Sequence, residues 1–200
     1  MTLPLFSKQE DLHNYFEQKS IQYQKQQISF LSSSKLKELL QISISSPLLS
    51  TLKKKDPSKP YGRQVLYLDN LIEIMIATWT PDVMCVPHDH GGSWSTIAVL
   101  EGCSKHELYK IIQNQLQLVY TEECPVGTFI QCVPSQIHAM GDAGKETSTL
   151  VTLHAYSKSI PYMMVYDKPK NKTFQVNGNC GAWIPDQAQQ ILQQYDGILQ

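Results

Sequence analysis

"PHDHGGSWSTIAVLEG", residues 87–102, sets His88 and His90 one residue apart in an otherwise apolar stretch. On a β-strand, residues i and i+2 point to the same face, so the two rings aim side by side into whatever that face encloses. Inside a barrel, such imidazoles need polar partners or a metal ion, because an unpartnered buried polar group is costly. Gly91 and Gly92 then break the run, and "WSTIAVLEG" reads as the next strand and its turn.

The same texture extends in both directions. Upstream, "RQVLYLDNLIEIMIATWTPDVMCV" alternates β-branched and aromatic runs with the turn signals Asp69-Asn70 and Pro81-Asp82; downstream come "SKHELYKI", "QLQLVYT", "GTFIQCV", "TSTLVTLHAY" and "YMMVYD". About nine short strands between Arg63 and Asp167 predict a sandwich or barrel of the jelly-roll type.

Towards the N-terminus, the pattern from Lys8 to about Lys19 suits an amphipathic helix, and "SSSKLKELLQI" from Ser32 supplies serine caps before helix formers. "LKKKDPSKPYG" is a loop punctuated by Pro57, Pro60 and Gly62. The tail "PDQAQQILQQYDGIL" reads as a short C-terminal helix with Pro185 near its first turn. The expectation is one mainly β domain over 1–200: helices in 1–60, a barrel in 61–176 and a tail or helix in 177–200.

Two hundred residues with 42% hydrophobic content are enough for one core. A net charge of -1 gives no general attraction for nucleic acid or an anionic membrane, and Lys53–Lys55, beside Asp56 and Pro57, reads as a solvated loop. Charge at Lys8 precedes any signal-length apolar run and no stretch is long enough to span a bilayer, so a cytoplasmic location is expected. Five cysteines without CxxC spacing suggest neither a disulfide framework nor a thiolate zinc site, and read as reduced, small core fillers.

A third histidine, His138, follows the turn "VPSQI". A His-x-His pair alone also arises from ordinary strand histidines; the third makes a metal site of His88, His90 and His138 the stronger reading. Thr152, His154 and Tyr156 alternate and so share a face, where a hydroxyl–imidazole–phenol chain would fix the phenol at one point. A packed aromatic beside a core histidine is the plainer alternative for that pair. His13 and His106 have no partner spacing and read as solvated. Met163 and Met164 border the cavity or fill the core.

"HDH", a spacer, "LEG" and a lone histidine after a proline-containing turn resemble the two motifs of the cupin superfamily, which implies a double-sheet jelly-roll barrel with a metal in its mouth. Ser95 stands where many cupins carry a glutamate ligand, so the set is three neutral imidazoles without a carboxylate. From about Tyr61 to Tyr166 the chain resembles the cysteine dioxygenase type I family. "YGR" at Tyr61-Gly62-Arg63 is similar to the segment whose arginine binds the substrate carboxylate; Trp79 precedes His88 as in family members; and "TLHAYS" resembles the hydroxyl–His–Tyr relay.

The resemblance implies Fe(2+) on His88, His90 and His138, and oxidation of L-cysteine by O2 to cysteine sulfinic acid. It implies Arg63, His154 and Tyr156 as catalytic residues, with Tyr61, Arg63, Tyr156 and Trp79 around the substrate; Trp79 also reads as barrel packing, and Arg63 as a surface ion-pair residue. A planar guanidinium suits a carboxylate through two parallel hydrogen bonds. The implied partners are a small thiol and O2, with no nucleic acid or membrane, and a monomer is expected.

Relatives that oxidise 3-mercaptopropionate place glutamine where Arg63 stands. Gln64 is adjacent, but strand alternation turns it to the opposite face, which favours cysteine. A non-catalytic metal-binding cupin is the alternative from another class. Two departures are specific. Many mammalian members carry at the Ser95 position a cysteine that is crosslinked to the tyrosine matching Tyr156, a thioether that serine cannot form and that bacterial members, which this chain resembles, commonly lack too. The family's Ser-Pro-Pro after that tyrosine is replaced by Ser157-Lys158-Ser159-Ile160-Pro161.

Overall fold

The structure is a computed structural model that describes residues 6–44, 46–144 and 149–198. Two helices, α1 (Gln9–Lys25) and α2 (Ser33–Ser43), precede a single 3-10 turn at Pro47–Thr51. The strands then follow: β1 (Tyr61–Leu68), β2 (Ile72–Trp79), β3 (Trp94–Glu101), β4 (Cys103–Ile112), β5 (Gln115–Pro125), β6 (Phe129–Cys132), β7 (Ile137–Asp142), β8 (Val151–Ser157), β9 (Tyr162–Asp167), β10 (Lys172–Asn177) and β11 (Ile191–Asp196).

One sheet has the order β1-β2-β8-β3-β6. Opposite it lie β5-β4-β7 and β11-β10-β9, and the segment carrying His88 stitches these two together through bridges from Met84 to Gly141, His88 to His138 and His88 to Val165. All strand pairs are antiparallel, and β4 pairs with β7 inside the enclosing β3–β8 pair. That nested pairing is the jelly-roll connection, so the fold is the double-sheet cupin type expected from the sequence.

Strand periodicity explains the division of the core. Ile72, Ile74 and Ile76 of β2, Leu153 and Ala155 of β8 and Ala98 of β3 face the helices and pack with Leu12, Phe16, Leu36 and Leu40. The alternate residues Met75, Ala77, Trp79, Ile97 and Tyr156 face inward and meet Cys85, Ala139 and Met140 from the other sheet. Burying both faces of β2 goes with its mostly apolar sequence, whereas β8 buries Thr152 and His154 on its inward face. The helices thus cover the outside of the sheet that carries Thr152, His154 and Tyr156, while His138 comes from β7 opposite.

Two expectations are corrected. The C-terminal helix is absent: a 3-10 turn at Ala188–Gln190 leads into β11, which pairs with β10. An isolated short helix is marginal without a face to bury, whereas the open edge of β10 offers main-chain partners. His88 and His90 also do not lie on a named strand; their segment is held by single bridges yet keeps strand-like alternation. All five cysteines are buried and none is in a disulfide, as expected. Among the described residues, no helix is long and apolar enough to cross a membrane.

Candidate metal centre

His88 and His138 exchange both main-chain hydrogen bonds, at 2.9 and 3.0 Å, which sets their rings beside one another with centroids 4.5 Å apart. His90 joins from the next inward position, its Nε2 lying 3.1 Å from Nε2 of His138. Between the two histidines, Asp89 turns the other way. Its Oδ1 accepts the N–H groups of Gly91 and Met164 at 3.0 and 2.9 Å, tying the segment to β9.

One ligand atom from each of His88, His90 and His138 can be chosen so that all lie within 4.8 Å of one another, and all three residues are buried. Burial is the main cause that holds the rings neutral, pulling His88 down to about 4 and His90 and His138 well below the usual imidazole range; neighbouring imidazoles add to it. Neutral rings keep a lone pair for a cation. His88 Nδ1 lies 3.0 Å from the Val86 carbonyl, which it satisfies as a donor, leaving Nε2 as the lone-pair nitrogen. The donor set therefore fits a first-row divalent ion, as three imidazoles with no carboxylate in the group.

Thr152, His154 and Tyr156 form the expected chain, and Trp79 extends it. The Trp79 indole N–H donates to Thr152 Oγ1 at 2.8 Å; Thr152 Oγ1 lies 2.7 Å from His154 Nε2, and His154 Nδ1 lies 3.0 Å from the Tyr156 hydroxyl. An indole nitrogen can only donate, so the Thr152 hydroxyl accepts there and is free to donate to His154 Nε2. Neutral His154 then carries its proton on Nδ1 and donates to Tyr156. Burial lowers His154 to about 3, in keeping with the neutral ring. The Tyr156 O–H is left to point elsewhere, beside His90, whose ring centroid is 5.2 Å away. Burial raises that phenol well above its ordinary value, so it remains a donor. Ser95 stands opposite Tyr156 in the β3–β8 register.

Tyr61, Arg63, His88, His90 and Tyr156 line one small cavity. Arg63 pairs with inward-facing Ala77 and Gln64 with outward-facing Ile76, so it is Arg63 that reaches this space. Its guanidinium is held by main-chain carbonyls: Nη1 and Nη2 donate to the Gly178 carbonyl, both at 3.2 Å, and Nη2 to the Asn179 carbonyl at 2.8 Å. These contacts use three of the five N–H donors an arginine carries and leave two. Tyr61 packs against Trp79 at 4.7 Å and Trp183 at 5.4 Å, and its hydroxyl accepts from the Ala182 N–H. Met163 borders the cavity as well.

Two features escaped the sequence reading. Glu73, only 8% exposed, adds a carboxyl group to the wall beside Arg63. Burial raises its pKa, partly offset by the Ile160 N–H and by Arg63. Its inward position follows from alternation with Met75, but nothing in sequence marks it off from a surface glutamate. His106, read as solvated, is in fact buried and bonded to His138. His13 is exposed, as expected.

A cupin-type barrel holding a buried all-imidazole group of ligand spacing is the class of protein that the fold and the site define. Among solved structures, the chain is similar to an uncharacterized conserved protein with a double-stranded β-helix domain from Klebsiella pneumoniae subsp. pneumoniae MGH 78578 (TM-score 0.46, 14% identity, covering 55% of this chain and 86% of that one). It is also similar to an oxalate oxidase (TM-score 0.45, 17% identity, 56% and 58%) and to KdgF from Halomonas sp. (TM-score 0.43, 14% identity, 55% and 90%). The match thus spans little more than half of the oxalate oxidase chain. No protein-family model matches the sequence.

Proposed function

We propose that the protein is a non-haem iron thiol dioxygenase that converts L-cysteine and O2 to cysteine sulfinic acid, the thiol sulfur taking up both oxygen atoms. The observation that carries this reading is the buried group of three neutral imidazoles without a carboxylate, two of which, His88 and His90, line one small cavity with an arginine and a hydrogen-bonded phenol. His88, His90 and His138 would hold Fe(2+), which supplies thiolate binding and dioxygen activation.

The protein's own groups divide the remaining work. Arg63, pre-positioned by the Gly178 and Asn179 carbonyls, attracts the substrate carboxylate by its charge and binds it through a remaining N–H. Fixing the guanidinium in advance reduces the ordering cost of binding. Glu73 faces the same space and suits the amino group of cysteine, which 3-mercaptopropionate lacks. Tyr156, its oxygen held by His154, offers its hydroxyl proton to negative charge developing near His90. Tyr61 and Trp79 shape the wall, and Trp79 acts through Thr152.

Oxygen uptake by Fe(2+)-reconstituted protein tests this, with cysteine and 3-mercaptopropionate supplied separately. Consumption of one O2 per cysteine, with sulfinate carrying two labelled oxygens from 18O2, is the expected result. Preference for 3-mercaptopropionate would overturn the substrate and keep the reaction; tight iron binding with no turnover of any small thiol would favour a metal-binding cupin.

A further inference from the structure

His106 stands on β4 between two partners. In the register it pairs with Glu122 of β5 on one side and Met140 of β7 on the other, which makes His138, two residues before Met140, its diagonal neighbour on the same inward face. The distances follow from that placement: His106 Nδ1 lies 3.0 Å from Glu122 Oε1, and His106 Nε2 lies 3.0 Å from His138 Nδ1. His106 itself is 2% exposed.

The polarity of this chain is set at its outer end. A carboxylate only accepts, so the proton of neutral His106 sits on Nδ1 and its Nε2 carries a lone pair. That lone pair takes the N–H of His138 Nδ1, which leaves the lone pair of His138 on Nε2, the nitrogen turned towards His90.

We infer that Glu122 and His106 form a positioning relay that locks His138 in the Nδ1–H tautomer and so presents its Nε2 lone pair to the metal. The inference rests on His138 being a metal ligand, and not on the reaction proposed above. The three histidines of the cluster are then oriented by different means. His88 has the Val86 carbonyl, His138 has a carboxylate-backed imidazole, and among the described residues the buried Nδ1 of His90 has no hydrogen-bond partner. The charged acceptor, transmitted through His106, increases the electron density that His138 offers to an ion.

A different use of the same atoms is conceivable, since ligand atoms of His106, Cys132 and His138 also lie within 4.8 Å of one another. An ion there beside one on the first group would require neutral His138 to give up its remaining ring proton and bridge two cations as an imidazolate, and the buried Cys132 to give up its thiol proton. The hydrogen-bonded chain requires neither.

Cobalt(II) titration of the whole protein tests the relay, with the visible d–d spectrum recorded and 15N-histidine NMR of the zinc-loaded form reporting the tautomers. We expect one ion per chain, Nδ1–H on both His106 and His138, and an affinity about 10- to 100-fold weaker in His106→Leu with a shifted d–d band. Glu122→Gln, on a half-exposed site that should not threaten folding, keeps a hydrogen bond without the charge and falls between the two. His106→Gln, whose amide oxygen can accept from His138, recovers part of the loss.

Unchanged affinity and spectrum in His106→Leu and Glu122→Gln, or a second ion lost in those variants, overturns the relay. His138→Ala separates the two readings: if it binds cobalt like the parent, the metal centre itself is wrong, and if it alone loses the ion, only the relay fails.

Discussion

The indole nitrogen of Trp79 donates to Thr152 Oγ1 at 2.8 Å, joining the end of β2 to β8 across 73 residues. This bond gives the inward chain its direction, because it occupies Thr152 as an acceptor and turns the threonine proton towards His154. Thr152→Val keeps the shape and removes the oxygen. We expect kcat to fall by about 10-fold with KM for cysteine little changed, since the phenol loses its fixed orientation and not the substrate its binding groups. The Trp79 N–H is then buried without a partner, at a cost of about 1–3 kcal/mol, so steady-state kinetics and chemical denaturation both report on the same substitution. An unchanged kcat would detach the chain from the chemistry.

Arg63→Gln removes a charge-assisted contact that contributes about 1.5–3 kcal/mol, so kcat/KM for cysteine should fall by about 10- to 100-fold while iron content stays constant. Glu73→Gln separates charge from shape at the other side of the cavity. It should narrow the preference for cysteine over 3-mercaptopropionate by about 10-fold, and a preference left intact would remove Glu73 from substrate recognition.

The parts of the fold legible in the sequence were those governed by short-range rules. The β-branched run in "IEIMIATW" and the alternation in "TLHAYS" marked β2 and β8, and Ser32 marked the start of α2. The same alternation placed Thr152, His154 and Tyr156 on one face, and separated Arg63 from Gln64. What stayed hidden depends on which strands pair. His106 looks like any strand histidine until β4 is laid beside β7, and Glu122 gains meaning only in the β4–β5 register. The C-terminal segment was misread for the same reason, since the free edge of β10 that recruits β11 is a tertiary fact.

Acid should destabilise the metal-free protein. His88 and His154 are held below the ordinary imidazole value, at about 4 and about 3, chiefly by burial. Between the unfolded value near 6.5 and these folded values, the unfolded chain binds more protons, so stability falls as pH falls through that window. Glu73 and Asp89, raised by burial, act in the opposite sense near their own range, but His90 and His138, also lowered chiefly by burial, bring the histidines to four against these two carboxyls. Urea midpoints at pH 7, 6 and 5 should therefore decline progressively. His154→Gln removes one titrating group that is not a metal ligand, and its midpoint should depend less steeply on pH; an equal slope would mean His154 is not buried neutral.

Gly91 and Gly92 separate two reasons for glycine next to the metal centre. Both have positive φ, +57° and +90°, so an added side chain strains the backbone at each. At Gly92 nothing lies within 4 Å of an added Cβ, and Gly92→Ala carries the conformational penalty alone, about 1 kcal/mol. At Gly91 the Cβ would sit 1.7 Å from the Tyr162 carbonyl oxygen, so the turn after His90 must move away from β9. That movement also strains the Asp89 contacts to the Gly91 and Met164 N–H groups, which hold His88 and His90 at their mutual angle. Gly91→Ala should accordingly weaken cobalt binding by about 10-fold or more and lower stability further than Gly92→Ala does, while Gly92→Ala leaves metal affinity within about 2-fold. Equal metal affinities in the two variants would show that the close approach to Tyr162 does not set the position of His90.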